Sequence, residues 1–332
     1  PACPSFPIYY YSWLRDGTFC AYALDLAGEH QSSLNFYRWI NNTLSRYLYK
    51  LEELAGKVKL GQHQDDDFLH TRYTLAGEEG LEPWGNFQLD GYGTYLWGLI
   101  EHTRITGSSL ILNKSARVVK SVIGYLQQVW QENCLDCWEE NKGIHPSTLA
   151  AIYGGLKAVL EFYPEWVDTK ILEELRLFTI KNFSNGVHFT KLKNTIQVDA
   201  NLLWLGVPFG LVEPTHPLME KTVGKITTDL QMGGLYRYWG DTYYGGGEWV
   251  LLTAWLGWYY VLVGEKAKAK SILNWVEEQA DAFGLLPEQV IEHVQNKAEY
   301  NRWVNRWGEI AKPLLWSHAM HLILAKSIEA VR

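Results

Sequence analysis

Apolar residues recur at the spacing of an α-helix along almost the whole chain. Within each segment they fall at positions i, i+3 and i+4, which gives a helix one apolar face. Short breaks rich in Gly, Pro or Ser, such as Val263-Gly264, separate the segments into pairs. The pattern predicts an all-α fold of helical hairpins. Its expected helices are Thr18–Leu26, Gln31–Leu54, Gly91–Thr106, Leu110–Glu132, Ser147–Phe162, Glu165–Asn182, Asn201–Phe209, Thr215–Gln231, Trp249–Leu262, Glu265–Phe283 and Pro313–Val331.

A single stretch of the chain has the pattern of strands. His188–Val198 predicts a small β-hairpin insertion with Lys193-Asn194 at its turn. No low-complexity linker and no block of like charge interrupts the sequence. We therefore expect residues 1–332 to form a single domain.

The composition excludes several classes of protein. Of the 332 residues, 47% are hydrophobic and 20% are charged, which is typical of a globular chain. The net charge is −7, and acidic and basic residues are interspersed. This pattern does not provide the basic face that binding to nucleic acid requires. No run of about 18 apolar residues predicts a membrane span, and no signal peptide is visible, so we expect a soluble protein, cytoplasmic or secreted. The oligomeric state stays open.

Trp and Tyr are unusually frequent, at 16 and 20 residues. Their rings combine an apolar face with a polar edge, and the C–H faces of sugars stack on such surfaces. This abundance favours a carbohydrate ligand, although a Trp-rich core explains it equally well. The spacing of Cys134 and Cys137 would suit zinc, but a structural site needs a second pair and none exists. We expect no metal and no cofactor. For the two cysteines we expect buried thiols, with a disulfide as the open alternative.

Long loops rich in aromatic and acidic residues separate alternate pairs of helices. If the pairs wind into a ring, these loops meet at one mouth, where a functional site belongs. The loops are Tyr9–Asp16, Gln62–Asp90, Cys137–Pro146, Gly234–Trp249 and Leu286–Lys312.

Two glutamates in these loops are candidates for acid–base chemistry. Cleavage of a glycosidic bond needs a protonated carboxyl for the leaving group and an ionised carboxyl for water. Glu139 lies beside Trp138 and Glu140, and both burial and repulsion between carboxylates would raise its pKa. Glu288 follows Leu286-Pro287, a fixed apolar turn. The competing interpretation of each glutamate is an ordinary acidic residue in the first turn of a helix.

Charged residues elsewhere in the loops could hold a sugar. Arg15 and Asp16 open a helix, where Asp16 is either an N-cap or part of a clamp on sugar hydroxyls. Arg237 and Asp241 precede Gly245-Gly246-Gly247, and this glycine turn would let the backbone approach a ligand. Asp65-Asp66-Asp67 could belong to a metal-dependent terpene cyclase, but no second Asp-rich motif follows, so a solvated loop is preferred.

Taken in order, these motifs resemble those of glycoside hydrolase family 15, the glucoamylases and glucodextranases. Tyr11-Ser12-Trp13-Leu14-Arg15-Asp16, Gln88-Leu89-Asp90-Gly91-Tyr92-Gly93 and Trp138-Glu139-Glu140 each resemble a family motif. So do Asp199–Leu203, Gly234–Trp249, Leu286–Gln289 and Pro313–Ala319. The resemblance covers nearly the whole chain.

The resemblance implies an (α/α)6 barrel that hydrolyses α-glucans or α-gluco-oligosaccharides from the non-reducing end with inversion, releasing glucose. Glu139 would be the general acid and Glu288 the general base, with carboxyls roughly 6.5–9.5 Å apart. Substrate-binding candidates in these motifs are Arg15, Asp16, Trp138, Glu140, Arg237, Trp13, Asp90, Asp241, Trp249 and Trp316. The family's first helix and the N-terminal β-sandwich domain of its prokaryotic members are not in this sequence.

Two alternatives remain at this stage. The family also includes enzymes specific for α-1,6 linkages and for trehalose, and the motifs do not decide between linkages. The segment around Trp84-Gly85-Asn86-Phe87 also resembles the glucoamylase-like region of phosphorylase kinase regulatory subunits. That similarity allows a carbohydrate-binding or regulatory domain without hydrolysis.

Overall fold

The computed structural model describes residues 2–80, 82 and 84–331 of the chain. Its contacts divide the chain into two compact units. The first unit contains Ala2 and Ile8–Leu177, and the second contains Cys3–Pro7 and the chain from Phe178 onward. None of the helices among the described residues is both long and apolar enough to cross a lipid bilayer.

The first unit is helical, with two short pairs of strands. Its helices are α1 (Leu14–Leu26), α2 (His30–Ser45), α3 (Leu48–Leu60), α4 (Asp90–Thr106), α5 (Leu110–Lys114), α6 (Ala116–Val129), α7 (Pro146–Leu160) and the first part of α8 (Thr169–Asn182). Strand β1 (Ser12–Trp13) pairs antiparallel with β2 (Arg72–Tyr73), and β3 (Cys134–Leu135) pairs antiparallel with β4 (Lys142–Gly143).

Helix α4 is the centre of the first unit and packs on α1 and α7. Its contact with α7 depends on Gly93 and Gly155. A Cβ atom at Gly155 would lie 2.3 Å from the carbonyl oxygen of Gly93, and one at Gly93 would lie 2.3 Å from that of Ala151. The two backbones therefore touch directly where the first turn of α4 meets the middle of α7.

A buried polar cluster also joins α1, α2 and α4. The Asp25 carboxylate accepts hydrogen bonds from Ser33 Oγ at 2.6 Å and from His102 Nδ1 at 2.8 Å, and His30 Nδ1 lies 3.0 Å away. Asp25 is almost fully buried, so these partners replace the water that its charge loses on folding.

The second unit is built around the apolar helix α10. Its helices are α9 (Pro217–Leu230), α10 (Val250–Leu262), α11 (Lys266–Glu278), α12 (Lys297–Trp307) and α13 (Leu315–Ala330). Helix α10 packs against α11 and α13, and eleven of its side chains are buried, as expected of a helix that is apolar on all sides. Strands β5 (Glu248–Trp249) and β6 (Gln289–Val290) pair antiparallel.

Several predicted helices have different bounds. The segment Gln31–Leu54 contains two helices because the chain breaks at Arg46-Tyr47, where both side chains bond to the backbone of the loop at Ala76-Gly77. Leu110–Glu132 is divided into α5 and α6 at Ser115. Asn201–Phe209 forms a 3-10 helix over Ala200–Leu205 rather than an α-helix. Helix α12 lies in a segment predicted to be a loop.

The predicted β-hairpin at His188–Val198 is wrong in its strands. The chain does turn at Lys193-Asn194, with Asn194 in the left-handed region, and Lys191 N donates to Gln197 O at 2.7 Å. No strand pair follows among the described residues of this segment. The hydroxyls of Thr190 and Thr195 bond to the Leu192 carbonyl oxygen instead, and such side-chain bonds compete with a ladder.

Candidate active site

The first turn of α1 carries a buried network around Arg15. Arg15 Nη1 donates to Asp90 Oδ2 at 2.8 Å and to Gln88 Oε1 at 3.1 Å, and its Nη2 lies 3.2 Å from Asp16 Oδ2. Trp13 is the N-cap residue, so Asp16 lies inside the helix and not at the N-cap. Two carboxylates thus hold one guanidinium at the start of the helix.

The environment shifts the titration of both charged residues of α1. Burial opposes the charge of Arg15, but Asp90 and Asp16 more than offset it, and the pKa of Arg15 is raised. Burial also raises the pKa of Asp16 to about 6, although the Arg15 charge counteracts this increase. Asp16 is therefore a carboxyl that can change its protonation state near neutral pH.

Glu139 stands at the tip of the β3–β4 hairpin, just before α7. Its backbone has a φ of 63°, which is uncommon for a residue other than glycine. The buried Asp136 braces this turn, because its Oδ1 accepts from Glu140 N at 2.9 Å and its Oδ2 accepts from the Asn141 side chain at 2.7 Å. Sequence reasoning considered this segment for its cysteines and for Trp138-Glu139-Glu140, and it missed Asp136.

The Glu139 carboxyl is held by two neutral donors. Trp13 Nε1 donates to Glu139 Oε1 at 2.6 Å, and Gln88 Nε2 donates to the same oxygen at 2.9 Å. Burial raises the pKa of Glu139, and the hydrogen bonds and nearby arginines reduce the increase. The side chain of Glu140 is exposed, and burial rather than repulsion from Glu140 accounts for the raised pKa.

Arg72 is a buried cation next to this carboxyl that sequence reasoning also missed. Its guanidinium carbon lies 4.3 Å from the centre of the Trp84 ring, 5.6 Å from that of Tyr11 and 5.7 Å from that of Trp13. Nη1 reaches the Gly85 carbonyl at 3.3 Å, whereas Nε and Nη2 have no hydrogen-bond partner. Burial lowers the pKa of Arg72, and the negative charge of Glu139 offsets part of this decrease.

The first unit thus brings together most of the site residues predicted from its part of the sequence. Trp13, Arg15, Asp16, Asp90 and Glu139 belong to one connected network through Gln88. Trp138, which directly precedes Glu139 in the sequence, is buried.

In the second unit, Arg237 and Asp241 form a buried pair. Arg237 Nε donates to Asp241 Oδ2 at 2.7 Å, and Nη2 donates to Oδ1, so the contact is bidentate. The ring centres of Trp249 and Tyr243 lie 5.1 and 5.3 Å from the guanidinium carbon. A charged fork against aromatic faces suits a sugar, which offers both hydroxyls and C–H surfaces.

The glycines after Arg237 have a different role from the one expected. Tyr244, Gly245 and Gly246 all have positive φ. A Cβ atom at Gly245, Gly246 or Gly247 would lie within 2.6 Å of a backbone oxygen of Asn296, Asp241 or Val290. The close approach is therefore to the protein's own backbone, which folds this loop tightly.

Glu288 is a buried carboxylate in an ordered segment. Its N–H donates to Ala311 O at 2.9 Å, and Ser317 Oγ donates to the Pro287 carbonyl at 2.8 Å. Strand β6 begins at the next residue, so Glu288 does not belong to the first turn of a helix. Its negative charge also contributes to the raised pKa of Tyr244, after the larger effect of burial.

The other residues singled out in the sequence lie in surroundings that are typical of structural residues. Trp316 is buried, with its ring centre 6.3 Å from that of Trp204 and 6.2 Å from that of Trp255. Cys134 and Cys137 are buried free thiols. Asp65 pairs with Lys142 at the surface. Within the described part of the chain, no three His, Cys, Asp or Glu residues are grouped so as to hold a metal ion.

The first unit thus combines a carboxyl of raised pKa with an Arg–carboxylate network and aromatic rings. The model for "Glycosyl hydrolases family 15" matches residues 1–326, and the chain belongs to this family. The isomaltose glucohydrolase of Kribbella flavida is 38% identical over 99% of this chain and 87% of its own length.

Solved structures agree with this membership. A wild-type glycosidase superposes with a TM-score of 0.94 at 36% identity, covering 99% of this chain and 91% of that one. A bacterial glucoamylase complexed with acarbose superposes with a TM-score of 0.71 at 19% identity, covering 97% and 49%. These matches confirm the predicted all-α fold of the (α/α)6-barrel type and the classification as a glycoside hydrolase.

Proposed function

We propose that this chain is an exo-acting, inverting α-glucosidase that releases glucose from the non-reducing end of short α-gluco-oligosaccharides, with isomaltose as its preferred substrate class. The observation that carries the proposal is the Glu139 carboxyl, whose pKa is raised by burial while two donors fix one of its oxygens. The linkage preference rests on similarity to a protein named isomaltose glucohydrolase. We also propose that the whole chain acts as one catalytic domain, since the family model extends over nearly all of it.

Glu139 is the general acid in this proposal. It donates its proton to the glycosidic oxygen as the bond to the anomeric carbon breaks, and the leaving sugar departs as a neutral alcohol. Glu288 is the general base and takes a proton from the water that attacks the anomeric carbon from the opposite face. Its burial and the bonds that hold its segment support a fixed position for this carboxylate.

The charged and aromatic side chains bind the glucose in this proposal. Arg15 and Asp16 bond to hydroxyls of the non-reducing glucose, with Asp90 holding Arg15 in place. In the second unit, Arg237 binds sugar hydroxyls and is positioned by Asp241, while Trp249 offers an aromatic face. Trp138 and Glu140 complete the proposed set. The contacts of Trp316 with other tryptophans favour a packing role over its predicted contact with substrate.

The test replaces each proposed catalytic carboxyl by an amide of the same shape. We expect Glu139→Gln and Glu288→Gln each to lower kcat for glucose release from isomaltose by about 10²–10⁴-fold, the usual contribution of acid–base catalysis. Exposed glutamates provide matched controls: Glu53→Gln on α3 and Glu278→Gln on α11 should retain full activity.

Free glucose is measured from isomaltose, maltose and trehalose. Near-wild-type release by either catalytic variant would refute the role of that residue. Release from maltose or trehalose in preference to isomaltose would overturn the linkage preference alone. Binding of the sugars without any release by the wild-type protein would favour a carbohydrate-binding domain instead.

A further inference from the structure

We propose that Gln88 is a positioning residue for the general acid: its side-chain amide holds Oε1 of Glu139, so that Oε2 carries the proton that is transferred to the leaving group. This inference rests on the proposed function, in which Glu139 is the acid.

The orientation of the Gln88 amide is fixed by its other partners. Gln88 Oε1 accepts from Arg15 Nη1 at 3.1 Å and from Thr71 Oγ1 at 3.2 Å. A guanidinium has donors only, so the atom of the amide that faces Arg15 must be the carbonyl oxygen. The NH2 group therefore points the other way, toward Glu139, and can only donate there.

Both donors at Glu139 select the same oxygen. Gln88 Nε2 and Trp13 Nε1 lie 2.9 and 2.6 Å from Oε1, and neither nitrogen can accept a hydrogen bond. A proton on Oε1 would compete with these two N–H groups for space and for the oxygen's lone pairs. The acidic proton is therefore on Oε2, the oxygen to which neither of these donors is bonded.

The same two bonds stabilise the carboxylate that remains after the proton leaves. Negative charge develops on Glu139 as its proton moves to the glycosidic oxygen, and hydrogen bonds to a charged acceptor are stronger than bonds to a neutral one. Donors already aimed at the site of developing charge need no rearrangement during the reaction. The effect of Gln88 on catalysis therefore appears in the transition state more than in substrate binding.

Gln88 acts through Glu139 and not by touching the sugar. Its side chain is fully buried and forms hydrogen bonds with Arg15, Thr71 and Glu139. Since Arg15 also bonds to Asp90, the amide connects Glu139 to the buried Arg15–Asp90 pair.

The experiment compares two leaving groups in the Gln88→Met and Gln88→Glu variants. Isomaltose loses a sugar alcohol, which needs the proton from Glu139, whereas α-glucosyl fluoride loses fluoride, which leaves as an anion without it. We expect both variants to lower kcat for isomaltose by about 10–100-fold, a typical effect of removing such a supporting partner. KM for isomaltose and turnover of the fluoride should change little.

The two variants and a control separate positioning from packing. Gln88→Glu keeps the shape of the side chain and its contact with Arg15 but loses the donor. Gln127→Met removes a hydrogen bond to Asp168 N elsewhere in the first unit, and it should leave both substrates unaffected. An equal loss on isomaltose and on the fluoride in both Gln88 variants would mean a structural role and would overturn the proposal, as would no loss on isomaltose.

A second measurement does not depend on turnover. The hydrogen bond from Gln88 lowers the pKa of Glu139, so its removal should raise this pKa in Gln88→Met, as followed by 13C NMR of labelled glutamate. An unchanged titration of Glu139 would also overturn the proposal. If the wild-type protein released no glucose from any substrate, the proposed function would fail. That outcome is distinct from an unchanged pKa of Glu139 in the Gln88 variants, which would overturn the role of Gln88.

Discussion

Around Glu139, single residues act on one carboxyl in opposite directions. Burial raises its pKa, which is the direction that a general acid requires. Trp13, Gln88 and the charge of Arg72 favour the ionised form instead. Burial thus favours the protonated form of this carboxyl, while hydrogen-bond and charge partners for its ionised form are already in place. This balance makes the role of Arg72 measurable.

The Arg72→Met substitution removes the positive charge and keeps an unbranched side chain among the aromatic rings. Because the Arg72 charge lowers the pKa of Glu139, its loss should raise that pKa. Glu139 then keeps its proton to higher pH, and the alkaline limb of kcat/KM against pH should move upward. The acidic limb, which reports the proposed base Glu288, should stay where it is.

The control for this profile is Arg38→Met, because Arg38 is an exposed arginine of the same unit. It should move neither limb. An alkaline limb that is unchanged in Arg72→Met, or that moves to lower pH, would show that the charge of Arg72 does not act on the acid.

Sequence reasoning recognised site residues that lie in local motifs, but it missed roles that depend on contacts between distant parts of the chain. Glu139, Arg15 and Glu288 lie in short motifs that can be recognised locally. The partners of Glu139 are distant in the chain: Trp13 is 126 positions away and Gln88 is 51. Sequence spacing alone carries no information on which of many buried polar residues meets which carboxyl, so the function of Gln88 and Arg72 follows only from the fold.

At the scale of secondary structure, the contact between α4 and α7 holds the β3–β4 hairpin, which carries Glu139, next to the start of α4. Gly93 and Gly155 allow this contact because neither has a Cβ atom. Helix propensity opposes both glycines, so tertiary packing must compensate for them.

A comparison of two glycine-to-alanine substitutions tests this packing. Gly155→Ala should lower the free energy of unfolding by about 1–3 kcal/mol, because its Cβ would overlap the Gly93 backbone and force the helices apart. Gly124→Ala on α6 is the matched control. Its Cβ would meet nothing within 4 Å, so the better helix propensity should stabilise the protein by roughly 0.5–1 kcal/mol.

Urea unfolding followed by circular dichroism measures both changes. If Gly155→Ala were as stable as the wild-type protein, the two backbones would not be in the tight contact described here.

Helix periodicity predicted most elements of the fold, and its failures have physical causes. The break between α2 and α3 depends on bonds from Arg46 and Tyr47 to a loop 30 positions later in the chain, which periodicity cannot reveal. Helix α12 did have a local signal: Asn296 caps it by accepting from Ala298 N and Glu299 N. At 188–198, the hydroxyls of Thr190 and Thr195 bond to the Leu192 carbonyl oxygen and compete with a strand ladder, which alternation of residue types does not reveal.

At the scale of the whole molecule, the order of the motifs along the chain identified the family before any contact was known. The family model and the superposed structures confirm that identification over almost the full length. Of the two proposed catalytic carboxyls, Glu139 lies in the first compact unit and Glu288 in the second. The central claim is that these two carboxyls act by a single displacement with inversion.

The stereochemistry of the first product tests that claim most directly. Proton NMR of isomaltose hydrolysis by the wild-type protein, recorded before mutarotation, resolves the two anomers of the glucose released. Water that attacks from the face opposite an α-linkage gives β-glucose, so the β-anomer should appear first and the α-anomer only as mutarotation proceeds. Initial release of α-glucose would require a double displacement with retention and would contradict the account.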